Sequence, residues 1–283
     1  MKRYDGCLLI SDLDGTIVPR GKLISKANRA AIASFVADGG LFAVATGRTP
    51  EAASGYVEGL AVTAPSVFFN GAMLYDWQAR KVIATRPLHG TEDAPDIWVR
   101  FAKECLEMFP KACIEVYTEE ACFIVSPEEN DDPRLAKEFY HVRHVPLASV
   151  SDMGKTRWLK FFVCDAPPAL HRLERLAKSF GVAALSNHFD SEANYHEFVA
   201  TGVSKGAMLD GIRRHPRCAG RKIIALGDYL NDREMLARAD VGIASGNAHE
   251  ALQKEADFVG CRVEDDLVVW LLDHFAEVES HFS

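Results

Sequence analysis

Short apolar runs, each stopping at a small polar segment, alternate with helical patterns over the first 70 residues, and this rhythm restricts the fold most. Residues 7–10 form a continuous apolar run leading to Asp12-Leu13-Asp14-Gly15-Thr16. Ser25 then offers an N-cap for a helix in which Ile32, Phe35 and Val36 share one face, and Gly39-Gly40 stops it. A second run, residues 41–45, ends at Thr46-Gly47-Arg48, after which Thr49-Pro50-Glu51 opens another helix with proline at a favoured first position. A third, residues 67–69, ends at Asn70-Gly71. Repeated strand–helix–strand units imply parallel strands with right-handed crossovers. The expected class is α/β, a doubly wound and mostly parallel sheet.

Residues 86–193 break the rhythm. Helical stretches at 96–109 and 167–180 lie among strand-like runs at 114–117, 122–125, 158–163 and 182–185, which describes a mostly antiparallel α+β module. After residue 198 the alternation returns, with a helix from Ser204, a strand over 223–226, the segment 228–237 and a strand over 241–244. The simplest organisation is one core made of residues 1–85 and 194–283, with residues 86–193 inserted as a separate module. A chain of 283 residues has room for about two domains.

The net charge of −8 argues against nucleic acid or an anionic membrane as the main partner, since both reward clustered Lys and Arg. Seven cysteines, an odd number without a CxxC pair, read as reduced buried thiols. No apolar run reaches the ~18 residues of a membrane span. The stretch after Met1-Lys2-Arg3-Tyr4-Asp5 is too short for a signal-peptide core, so the cytoplasm is the expected location. Nothing in the sequence sets an oligomeric state.

Open α/β sheets bind ligands at the carboxyl ends of their strands, where these polar segments fall. Asp12 and Asp14 point the same way if the strand continues that far; alternatively they are solvated acids in a turn. Thr46 and Gly47 offer a hydroxyl and an N–H to a phosphate oxygen, or form an ordinary turn; Asn70-Gly71 also fits a hairpin. Lys205 follows the cap Ser204, where a cation opposes the helix dipole at roughly 0.3–1 kcal/mol, a cost that a bound anion would justify. Asp228 and Asp232 add two acids at the same sheet edge, and hard oxygen ligands of this kind suit Mg²⁺. His141 and His144 are spaced HxxH without a third ligand, and no GxSxG, P-loop or HExxH segment occurs.

The ordered set Asp12-x-Asp14-Gly-Thr16, Thr46-Gly-Arg48, Lys205 and Gly227-Asp228-x-x-Asn231-Asp232 resembles the motifs of the haloacid dehalogenase superfamily. Ala45-Thr46-Gly47-Arg48, Asn70-Gly71-Ala72 and Gly202-Val203-Ser204-Lys205-Gly206 look like its Cof-type branch, which carries a large cap between the second and third motifs. The likeness covers both core segments, while the cap matches only in position and size. It implies a Rossmann-like core in which Asp12 attacks phosphorus and Asp14 serves as acid and then base. It also implies Mg²⁺ held by the Asp12 carboxylate, the Asp14 carbonyl and Asp228, with Asp232 in support. Thr46 and Lys205 would hold phosphate oxygens, with Asn231 a further phosphate-side candidate.

The implied activity is a phosphatase acting on a small phosphorylated metabolite, foremost a sugar phosphate. A phosphomutase keeps the same motifs, and a non-catalytic phosphosugar-binding regulator is a reading from another class; the set Asp12, Asp14, Lys205 and Asp228 argues against the latter. His196 and Glu197, on the strand returning to the core, are candidate substrate contacts or solvated strand residues. Arg48 is a phosphate or substrate contact, or half of an ion pair.

Overall fold

A computed structural model describes residues 2–132, 142–146, 149 and 156–282. The first apolar run becomes β1 (Cys7–Ser11), with Leu8, Leu9 and Ile10 fully buried, as befits a central parallel strand covered on both faces. In α1 (Lys26–Ala37) the Ser25 hydroxyl accepts from the Asn28 N–H, and Ile32 and Phe35 face inward as their spacing predicts. β2 (Leu41–Val44) lies parallel to β1, and α2 (Pro50–Val57) starts under a Thr49 cap. β3 (Ser66–Phe68) joins the end of β2 through a parallel bridge between Ala45 and Val67. Phe69, Asn70 and Gly71 then take positive φ and turn the chain into β4 (Met73–Asp76), antiparallel to β3, followed by β5 (Lys81–Thr85). The hairpin reading of Asn70-Gly71 therefore holds.

Residues Thr85–Val203 form a unit of their own. It contains α3 (Ile97–Met108), β6 (Cys113–Tyr117), β7 (Cys122–Ile124), β8 (Val142–His144), β9 (Lys160–Cys164), α4 (Pro167–Phe180), β10 (Ser186–Glu192) and β11 (Tyr195–Ala200). The sheet order is β10-β11-β9-β6-β7-β8, antiparallel except between β7 and β8. Ile114, Val116, Phe161, Val163 and Phe198 pack against Trp98, Phe101 and Cys105 of α3 and Leu170, Leu173 and Ala177 of α4.

Two expectations change in this unit. Residues 182–185 form a 3₁₀ turn, because left-handed Gly181 (φ 95°) ends α4 and reverses the chain before β10 begins. The strand expected to return to the core, β11, instead hydrogen-bonds to β9 and β10. The boundary consequently falls at Val203/Ser204, ten residues beyond the expected one at 193/194.

The other unit is Met1–Ala84 with Ser204–Ser283. Its second part runs α5 (Leu209–Arg214), β12 (Lys222–Gly227), α6 (Arg233–Arg238), β13 (Val241–Ala244), α7 (Glu250–Glu255), β14 (Phe258–Val259), α8 (Leu267–Asp273) and α9 (Phe275–Glu279). The parallel sheet is ordered β14-β13-β12-β1-β2. The strands after β1 build one side and those after β12 the other, so a topological switch point lies between these neighbours. Asn28 of α1 ties the last part of the chain down by accepting from the Val268 N–H of α8 at 2.9 Å. No helix among the described residues is long and apolar enough to cross a membrane.

Candidate active site

β1 ends at Ser11 and the chain then coils tightly, with the Ile17 and Val18 N–H groups both donating to the Leu13 carbonyl. The strand period therefore stops before it can align the two acids. Asp12 is 5% exposed, whereas the Asp14 side chain is 51% exposed and held in a fork by Arg48, Nε–Oδ2 2.7 Å and Nη2–Oδ1 2.9 Å. Arg48 also lies over the Tyr56 ring, 4.5 Å from its centroid. It is thus half of an ion pair, and the burial that an acid–base Asp14 invites is absent.

Asp12 belongs to a buried cluster. The Lys205 ammonium donates to Asp12 Oδ1 and Asp232 Oδ1, both at 2.7 Å, and is 1% exposed. The Thr16 hydroxyl lies between Asp12 Oδ2 at 3.3 Å and Asp228 Oδ1 at 3.2 Å. Asp232, fully buried, accepts on its other oxygen from the N–H groups of Asp228 and Tyr229 at 3.0 and 3.2 Å, which shapes the loop after β12. Asp12, Asp228 and Asp232 each bring an oxygen within 4.8 Å of the others.

Lys205 does not sit at a helix start. Residues 205–208 form turns, the preceding Ser204 hydroxyl accepts from the Ala207 N–H at 2.9 Å, and α5 begins only at Leu209. The dipole cost expected for Lys205 therefore does not apply, and its position follows from the two carboxylates. Gly71 (φ 112°) makes that position possible: a Cβ there would stand 2.2 Å from the Ser204 carbonyl oxygen.

These groups compete for charge. Burial pushes Asp12 up to about 7, with Asp232 and Asp14 adding to the rise against the pull of Lys205. Burial, reinforced by Asp12 and Asp232, pushes Asp228 up to about 9. Burial alone would depress the Lys205 ammonium, but Asp12 and Asp232 together raise it.

Of the other expected residues, Thr46 is buried and accepts from the Arg48 N–H at 3.2 Å. Asn231 Nδ2 donates to Asn70 Oδ1 at 3.2 Å, and a Cβ on Gly47 would meet Asn70 at 2.8 Å, so these three positions pack together. His196 and Glu197 belong to the inserted unit, where both are buried. His196 contacts Asp190 at 2.7 Å and His188 at 3.2 Å, and Glu197 pairs with Lys160 at 3.2 Å. His144 lies 3.3 Å from Asp131, and His141 lies outside the described residues. Sequence reasoning overlooked Asn247, whose amide donates to the Gly15 carbonyl at 2.8 Å while its oxygen accepts from the Val263 N–H at 2.7 Å. It follows β13 at the same sheet edge, the signal that marked the other segments.

The doubly wound core with acids gathered at its switch point and an α+β insertion belongs to the α/β class with a capped core, and comparisons assign the family. The family model for haloacid dehalogenase-like hydrolases matches residues 9–272. The chain belongs to that family, in its Cof-type phosphatase branch. It is 25% identical over 281 residues to the pyridoxal phosphate phosphatase YbhA of Escherichia coli, covering 93% of this chain and 96% of that one. It is 27% identical over 284 residues to the 5-amino-6-(5-phospho-D-ribitylamino)uracil phosphatase YitU of Bacillus subtilis, covering 95% and 97%. A haloacid dehalogenase-like hydrolase from Bacteroides thetaiotaomicron shares the fold with TM-score 0.78 at 22% identity, covering 95% of this chain and 99% of that one. A subclass IIB sugar phosphatase of the same superfamily does so with TM-score 0.79 at 21% identity, over 95% and 99%.

Proposed function

We propose that this chain is a Mg²⁺-dependent phosphatase of small phosphorylated metabolites, foremost sugar phosphates, working through an aspartyl-phosphate on Asp12. The observation that carries the reading is the buried Asp12–Lys205–Asp232 cluster beside Asp228. Once ionised, the three carboxylates against one ammonium leave two negative charges, and the donor set is all oxygen, which fits Mg²⁺. Asp12 and Asp228 would hold the ion with the Asp14 carbonyl, and Asp232 would support them. When bound it supplies charge neutralisation at the phosphoryl oxygens.

In the first step an Asp12 oxygen bonds to phosphorus, and the ester oxygen leaves with a proton from Asp14. In the second a water gives its proton to Asp14 and its oxygen to phosphorus, which releases phosphate and restores the Asp12 carboxylate. Asp14 can serve in this way only when the Arg48 fork opens, since both its oxygens accept from Arg48. Lys205 keeps Asp12 oriented and offsets charge on the transferring group, with Thr46, Gly47, Asn70 and Asn231 on the phosphate side. The names of the two curated relatives and of the sugar phosphatase support a small phosphorylated substrate.

The test is phosphate release from a panel of sugar phosphates and other phosphorylated metabolites, with and without Mg²⁺. Wild type is expected to turn over at least one of them in a Mg²⁺-dependent manner, and Asp12→Asn to fall to background while keeping its circular dichroism. Undiminished turnover in that variant would sink the mechanism. Isomerised sugar without free phosphate would favour the mutase.

A further inference from the structure

The α4–β10–β11 corner of the inserted unit carries polar groups where its own pattern calls for apolar ones. Leu170, Leu173 and Ala177 mark the buried stripe of α4, and half-buried Glu174, four residues after Leu170, borders it. On the strands, Asp190 lies directly opposite His196, and His188 lies opposite Phe198 of the aromatic core. The Phe198 ring stacks on His188 at 5.4 Å and meets His196 edge-on at 4.8 Å.

We infer that Glu174, Asp190 and His196 form a second divalent-metal site, of the borderline class that includes Zn²⁺ and Co²⁺, with His188 as its supporting partner. One donor atom from each of the three lies within 4.8 Å of the other two. Bonds of about 2.0–2.2 Å place donors on a common ion roughly 3–4 Å apart, so the wider separations in the trio close slightly while the His196–Asp190 contact opens as the ion replaces its hydrogen bond. Movement is available, because Glu174 is half-buried and the Asp190 side chain is 49% exposed, whereas His196 is fixed at 1%. His196 Nδ1 already stands 2.7 Å from Asp190 Oδ1, and its Nε2 stands 3.2 Å from His188 Nδ1. A partner on the second ring nitrogen is what orients a metal-binding histidine and sets its tautomer.

The donor set separates this site from the all-oxygen cluster around Asp12. Imidazole beside two carboxylates favours Zn²⁺, Co²⁺ or Ni²⁺ over Mg²⁺. Lys178, whose charge reaches His188, opposes a cation there, while Glu174 and Asp190 outweigh it. An ion so held would tie the β10–β11 hairpin to α4.

Co²⁺ is the probe, titrated into the full chain in excess Mg²⁺, with wild type compared with Glu174→Gln, Asp190→Asn and their double variant. Binding at the core acids is common to all and cancels. Wild type is expected to bind one Co²⁺ more than the double variant, with hyperfine-shifted ring-proton signals from His196. Each single change should weaken that ion at least about tenfold, and His188→Gln about 10–100-fold. Equal stoichiometry and affinity in wild type and double variant, or the absence of shifted His196 signals in wild type, would overturn the proposal.

Discussion

Lys205 holds the buried acids of the core together. Its ammonium is shared equally between Asp12 and Asp232 away from water, so Lys205→Met leaves two buried acids uncompensated. Breaking such a pair costs about 3–5 kcal/mol, measurable by urea unfolding. Adding Asp232→Asn should recover part of the loss, since the double-mutant cycle contains the coupling. The same cluster predicts a pH dependence. Asp12 and Asp228 hold protons more tightly folded, at about 7 and about 9, than at their ordinary 3.8. In the metal-free chain the contribution of these two groups to stability is therefore fully present below about pH 4 and is lost as pH rises through those two values. On the proposed reading Mg²⁺ displaces the same protons, so its affinity is expected to rise with pH, and calorimetry in buffers of different ionisation enthalpy should show proton release. Asp12, Lys205, Asp228 and Asp232 were legible because each follows an apolar strand or a recognisable motif. The Asp14–Arg48 fork was not, because it depends on side-chain directions in loops 34 residues apart.

At the scale of elements, the turn between β3 and β4 carries more than its hairpin role. Gly71→Ala forces a Cβ against the Ser204 carbonyl at a left-handed position, which costs on the order of 1–3 kcal/mol. That change should also displace Lys205, so phosphatase turnover is expected to fall along with the melting temperature. Within α1, Phe35 is fully buried and packs on Tyr4 with ring centroids 4.8 Å apart. Phe35→Ala should cost about 3–5 kcal/mol, measurable by urea unfolding. The helices and the buried parallel strands were readable because their periods and caps are local. β10 was not, since Ser-Asn-His-Phe-Asp-Ser-Glu is an edge strand rich in polar residues, with weak strand preference of its own.

For the molecule as a whole, the two units have separate hydrophobic cores, and ligand effects should divide accordingly. Hydrogen exchange with and without Mg²⁺ is expected to show protection gained around Asp12–Thr16 and Asp228–Asp232, with the β6–β9–β11 sheet unchanged. Protection spread evenly over both units would contradict a metal held by the core acids alone. The two-part organisation was visible as a change of rhythm, but the second boundary was not, because Tyr195–Ala200 is as strand-like as a core segment and only its hydrogen bonds assign it. The switch point itself has a consequence for biosynthesis. β1 leaves the ribosome some 200 residues before its neighbour β12. At ordinary rates of about 5–20 residues per second, one side of β1 waits on the order of 10–40 s for its partner. During that interval the whole inserted unit emerges and is free to fold, so the nascent chain carries a finished insertion on a half-built sheet whose apolar edge is a natural client for chaperones.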